Sequence, residues 1–201
     1  MKQSGQTLIE TVVGVALLTT GLIAGLALAI YTFTASRVSG RSDVASGLAR
    51  EGIEGVRRLR DSNWLAGSLS DCGGGQVCYA AWLTTPYNIT GAAGSGLEYR
   101  LIFNPSSNGN KWTLDSNTDY RLYTQASGVY THTANSTPSP FYRKVAVVYS
   151  NTAAPYSATS PLVLVRSTVW WNDKRCPTVT DPNLTRCKII SEEYMTNWKN
   201  Y

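Results

Sequence analysis

Residues 5–36 read Gly5-Gln-Thr-Leu-Ile-Glu10-Thr-Val-Val-Gly-Val-Ala-Leu-Leu-Thr-Thr-Gly-Leu-Ile-Ala-Gly-Leu-Ala-Leu-Ala-Ile-Tyr-Thr-Phe-Thr-Ala-Ser36. From Thr7 onward this stretch is apolar or weakly polar, with one exception: Glu10 is the only charge between Lys2 and Arg37. At 1.5 Å per residue, about 20 apolar residues cross a bilayer core, so the run is long enough to span a membrane as a helix. A carboxylate in such a segment is costly and persists where it has a partner or a task. Gly14, Gly21 and Gly25 interrupt the run. Gly21-Leu-Ile-Ala-Gly25 is a G-x-x-x-G, whose small residues let another helix approach closely.

The helical pattern continues past the apolar run. Val38, Ala45, Leu48, Gly52, Val56 and Leu59 recur at intervals of three, four or seven, with Arg and Glu filling much of the remainder. Glu54 and Arg58 stand at i and i+4 in the favourable order. Asp61-Ser62-Asn63 offers a stop. A continuous helix from Thr7 to Arg60 would be roughly 80 Å long. The cluster Arg57, Arg58 and Arg60 reads as a solvated helix face, with Trp64 anchoring the turn that follows.

After Trp64 the texture changes to short apolar-aromatic runs separated by Gly, Ser, Asn and Thr. Strands are expected over Tyr79–Leu83, Leu97–Phe103, Asp119–Thr124, Phe141–Tyr149 and Leu162–Trp171. In the last of these, Val163, Val165, Val169 and Trp171 share one face and Leu164, Arg166, Thr168 and Trp170 the other. Residues 104–118 and 132–140 read as loops, and Asn135-Ser-Thr-Pro-Ser-Pro140 is the strongest breaker. The expected fold class is α+β: one face of an antiparallel sheet covers the amphipathic half of the long helix.

The arrangement around Glu10 resembles the class III signal of type IV prepilins. A short basic leader, Met1-Lys2-Gln3-Ser4, ends in Gly5, and a turn reading Thr-Leu-Ile-Glu10 opens the hydrophobic helix. The run Ala49-Arg-Glu-Gly-Ile-Glu-Gly-Val-Arg-Arg-Leu-Arg-Asp-Ser-Asn-Trp64 is similar to one found in pilin-like proteins. The resemblance implies the pilin fold: leader 1–5, long helix 6–62 and a β-rich head 63–201. It implies cleavage between Gly5 and Gln6 by a prepilin peptidase, N-methylation of Gln6, and an N-in, C-out orientation in the cytoplasmic membrane before assembly. It also implies a homo-oligomeric helical filament at the cell surface, raised by inner-membrane assembly machinery. In that filament Glu10 is the assembly contact, neutralising the free amine of a neighbour's Gln6. Two positions depart from the family pattern: Gln6 stands where Phe is usual, and Ala27 where a mid-helix Pro is usual.

The functions such filaments serve are adhesion, twitching motility and DNA uptake, with DNA or a host surface as the outside partner. A minor pilin or pseudopilin of a secretion or competence system is an alternative. A reading from a different class is a secreted binding protein, cut by signal peptidase after Ala27-Leu-Ala29, which fits the A-x-A pattern.

Composition agrees with an exported chain. Charged residues are 15% of the 201, and the net charge of +5 falls to +4 without Lys2. That balance permits weak attraction to polyanions and identifies none. The four cysteines fall into two close pairs; three connectivities are formally possible, and of these the local pairing Cys72–Cys78 with Cys176–Cys187 is expected, the second resembling the looped C-terminal region of pilins. Their spacings fit zinc poorly.

No cofactor, metal or enzymatic activity is expected. His132 is the one histidine, placed on a surface loop, and no nucleophile or orienting acid accompanies it. Asp115-x-Asn117-x-Asp119 resembles a calcium loop but lacks its glycine and its terminal glutamate. Asn88, Asn135 and Asn183 begin N-x-T or N-x-S sequons.

Overall fold

The computed structural model describes residues 4–69, 82–83, 89, 92–93, 97–107, 111–134, 137–151, 162–173, 176 and 182–197. The chain divides into two units, Met1–Arg41 and Ser42–Tyr201. One helix, α1 (Ser4–Leu69), contributes to both. It runs without a break through Ala27.

In the second unit eight strands follow among the described residues. They are β1 (Ala92–Ala93), β2 (Leu97–Phe103), β3 (Trp112–Asp115), β4 (Arg121–Thr124), β5 (Tyr130–Thr131), β6 (Thr137–Asn151), β7 (Leu162–Trp171) and β8 (Lys188–Met195). The long β6 is the spine. On one side it pairs antiparallel with β2 and β4 and parallel with β1; on the other it pairs antiparallel with β7. β3 extends the sheet beyond β2, and β8 extends it beyond β7. The chain is therefore α+β, with the second half of α1 packed on a mainly antiparallel sheet.

The packing follows the helical period read from the sequence. Ala45, Leu48, Gly52, Val56 and Leu59 are all buried, whereas Val38, the first position of the same stripe, is only half-buried. Two clusters form under the helix. Ile53, Val56 and Leu59 meet Leu101, Val145, Val147, Val163 and Val165. Ala45, Leu48 and Ala49 meet Leu122, Phe141, Val169 and Trp171. The expected faces of β7 are also observed: Val163, Val165, Val169 and Trp171 lie in the core. Each such fully buried aliphatic side chain contributes about 1.5–3 kcal/mol.

Gly52 and Gly55 explain how the helix comes so close. A Cβ at Gly52 would overlap Ser167 Oγ and sit 2.9 Å from Ser167 Cβ. A Cβ at Gly55 would overlap Leu101 Cδ2 and sit 3.0 Å from its Cδ1. The missing side chains let the helix backbone settle directly on β7 and β2.

Several sequence expectations are corrected. The helix does not stop at Asp61-Ser62-Asn63 but continues to Leu69. Asn63 is buried, and its Nδ2 donates to Trp82 O at 2.9 Å, so its side chain no longer competes for the local backbone. Trp64 Nε1 donates to Asn197 Oδ1 at 3.1 Å, which anchors the same turn. Trp82 and Leu83 form a 3-10 turn where a strand was expected, and Tyr79–Ala81 lie outside the described residues. The expected loop 104–118 contains β3, a strand of four residues between polar flanks. The expected breaker at 135–140 is overridden, because β6 begins at Thr137. There, among the described residues, β6 pairs in register only with β4, since the ladder with β7 starts at Phe141 and Pro140 serves the far side only as an acceptor, from Asn172 N at 3.0 Å; a proline lacks only the donor, so Pro138 and Pro140 are accommodated. Glu54 pairs with Arg57, not Arg58. Arg57 also reaches Glu193 on β8, with Nη2 2.6 Å from Oε1, and this contact raises the guanidinium pKa.

Candidate functional site

The surface that distinguishes this chain is the first part of α1. Among its large apolar residues, Leu8 to Phe33 are at least half exposed, reaching 73% at Leu22 and Phe33. They point in every direction around the helix. A helix apolar all round requires an apolar environment on all sides. It is long and apolar enough to cross a membrane. Its described threonine hydroxyls are satisfied internally. Thr11 Oγ1 donates to Leu8 O at 2.9 Å, Thr32 Oγ1 to Ala29 O at 2.8 Å and Thr34 Oγ1 to Ile30 O at 2.7 Å. Thr19 and Thr20 bond back in the same way. Such back-bonding removes the desolvation cost of a hydroxyl in a medium without water.

Glu10 is the exception. It is exposed one helical turn after Gln6 and forms no ion pair with any described residue. In an apolar medium its charge needs a partner. Gly5 and Gln6 lie within the helical backbone of α1. Gly21 and Gly25 face open space, with nothing within 4 Å of a Cβ placed at either. Gly14 is equally open. The close-approach surface expected from the G-x-x-x-G is therefore free.

The C-terminal disulfide is formed: Cys176 and Cys187 are joined, their Cα atoms 6.0 Å apart. Cys72 and Cys78 lie outside the described residues. Thr185, within the disulfide loop, is buried, and its Oγ1 accepts from Cys187 N at 3.2 Å. The third residue of the Asn183 sequon is thus engaged inside the fold; Asn88 and Asn135 lie outside the described residues.

His132 is not on the surface. It is 4% exposed, with Nδ1 3.1 Å from Arg121 O. A carbonyl only accepts, so Nδ1 carries the proton of the neutral ring. Burial, reinforced by the charge of Arg143, pushes its pKa down to about 3. The Asp115-x-Asn117-x-Asp119 segment is a chain of Asx turns. Asn117 N donates to Asp115 Oδ1 at 3.3 Å, Asp119 N to Asn117 Oδ1 at 2.8 Å and Arg121 N to Asp119 Oδ1 at 3.2 Å. Arg100 Nε donates to Asp115 Oδ2 at 3.1 Å and holds that carboxyl below its ordinary pKa.

The histidine makes acid stability a direct test. Its folded pKa is depressed, so the unfolded chain binds a proton first as pH falls. The stability is fully present above about pH 6.5 and is lost progressively toward pH 3, by up to roughly 5 kcal/mol. Denaturant melts between pH 7 and pH 4 should show this slope, and His132→Gln should flatten it. An unchanged slope in the variant would place the acid sensitivity elsewhere.

No protein-family model, curated protein or solved structure matches the chain.

Proposed function

We propose that this chain is the structural subunit of a type IV pilus or pilus-like filament, assembled through its N-terminal helix. One observation carries the reading. A single helix presents an all-round apolar surface over its first half and buries one face against its own sheet over its second. The first half needs a lipid or protein surround; the second is the spine of a folded head.

In this reading the precursor sits in the cytoplasmic membrane and is cut between Gly5 and Gln6. The apolar helices of many copies then pack together in the filament core. Glu10 meets the α-amine of a neighbour's Gln6, whether or not that amine is methylated. The pairing neutralises both charges out of water and sets the register between neighbours. The free Gly21–Gly25 surface allows a close helix crossing there.

N-terminal sequencing of the mature protein tests the processing step. Gln6 as first residue supports the reading, and Ile30 replaces it with a secreted protein released after Ala29. Glu10→Ala should leave processing intact while abolishing sheared filaments seen by electron microscopy. Filaments of normal number from that variant would refute the role of Glu10.

A further inference from the structure

The last turns of α1 and the β2–β3 hairpin enclose an open groove of about 670 Å³. Arg58, Asp61, Ser62 and Leu65 line it from the helix, and Phe103, Lys111 and Trp112 line it from the sheet. The volume falls within the roughly 300–1,000 Å³ of small-ligand sites. Phe103 and Trp112 form one wall, their rings 4.9 Å apart and inclined at 50°. Leu65, 62% exposed, continues the apolar surface.

The charges are arranged unevenly. Arg58 and Lys111 are exposed and form no ion pair with any described residue. Glu54, the carboxylate that spacing assigns to Arg58, is taken by Arg57. Asp61 is different: its Oδ1 lies 2.8 Å from Arg60 Nη2, so its charge is already compensated. The groove therefore holds two cations with no carboxylate partner among the described residues, one compensated carboxylate able to accept hydrogen bonds, and an aromatic wall.

We propose that this groove binds an acidic saccharide. A sugar ring lays its apolar C–H face on Phe103 and Trp112. A uronate-type carboxylate pairs with Arg58 and Lys111, and ring hydroxyls donate to Asp61. The complementarity is one of charge and of shape. A single-stranded nucleic acid also stacks on aromatics and pairs with cations. Such binding, however, uses a positively charged groove that tracks successive phosphates, whereas this groove offers two cations beside a hydrogen-bond acceptor, which one carboxylate flanked by ring hydroxyls matches more closely. The site lies on the folded head, and its occupancy does not depend on filament formation.

The test uses the full-length chain in detergent micelles, titrated by calorimetry and tryptophan fluorescence. The probes are tetragalacturonate, the neutral galactose tetramer and a short oligothymidylate. Tetragalacturonate should bind, and the neutral tetramer should bind more weakly by about tenfold or more. Arg58→Gln with Lys111→Gln should weaken tetragalacturonate by a similar factor. Both changes are at exposed positions, so circular dichroism should be unaltered. Trp112→Phe keeps an apolar wall and should lower affinity less. The proposal is overturned by absence of tetragalacturonate binding at millimolar concentration, by equal binding of the double variant, or by tighter binding of oligothymidylate.

Discussion

Gly52→Ala should destabilise the protein by about 1–3 kcal/mol, although alanine is the better helix former. The intrinsic preference for Ala over Gly in a helix interior is about 1 kcal/mol and acts in the opposite direction. It is outweighed because the new Cβ has nowhere to go. Ser167 Cβ would be 2.9 Å away, and Ser167 lies fully buried on β7, a strand paired on both sides. The obstacle is fixed to the backbone and cannot rotate aside. Gly55→Ala should cost less, because its obstacle is the end of the Leu101 side chain, which can change rotamer at some expense in packing. Gly47→Ala serves as the control. Nothing lies within 4 Å of a Cβ there, so the variant should be stabilised by up to about 1 kcal/mol. Urea melts of the four proteins should rank Gly47→Ala, wild type, Gly55→Ala, Gly52→Ala from most to least stable. The cause is isolated by pairing Gly52→Ala with Ser167→Gly, which removes the obstructing atoms. A coupling of about 1 kcal/mol or more between the two changes supports the steric account. Additive losses would mean that the helix is held off the sheet by something else.

This close approach also marks the limit of what periodicity reveals. The stripe Ala45, Leu48, Gly52, Val56 and Leu59 is legible because burial on one face repeats with the turn of the helix. Gly55 lies at the edge of that stripe and is buried, but nothing local to the helix shows that Leu101 presses against it. The strands were legible where apolar residues alternate over many positions, as in Leu162–Trp171. They were not where they are short or contain proline, as in Trp112–Asp115 and Thr137–Pro140, because neighbouring strands decide those segments. His132 was misplaced for the same reason: one polar residue between Thr131 and Thr133 looks solvated until Arg121 and Arg143 enclose it. Glu10 could be singled out from the sequence because its anomaly is local, a charge within an apolar run. The groove could not, because Arg58 and Trp112 meet only through the fold. Arg57, Arg58 and Arg60 looked alike in sequence, yet each has a different fate. Arg57 bridges to β8, Arg60 is bound to Asp61, and Arg58 is left facing the groove.

Arg143 is the second residue on which the head should depend. It is 1% exposed, on the face of β6 that otherwise carries Phe141, Val145 and Val147 toward the helix. A buried charge needs partners, and the two terminal nitrogens have them, while Nε is buried without a partner among the described residues. Its Nη1 donates to Glu51 Oε1 at 2.9 Å and lies 3.4 Å from Leu48 O; its Nη2 donates to Leu101 O at 3.1 Å. One guanidinium thus ties together α1, β2 and β6. Arg143→Ala leaves a cavity and strips Leu101 O of a donor, so a loss of about 3–5 kcal/mol is expected. Arg143→Met refills most of the volume with apolar atoms and should recover much of that loss, because the desolvation cost of the charge disappears with it. Glu51→Gln should cost far less, since Glu51 is 38% exposed and water replaces part of what it gives. The decisive comparison is between Ala and Met in chemical denaturation. If Met is as damaging as Ala, the hydrogen bonds dominate and the guanidinium holds the three elements in place. If Met matches wild type, Arg143 selects one seating of the helix without adding stability. Hydrogen exchange at Leu48–Gly52 should then be faster in Arg143→Met at equal global stability.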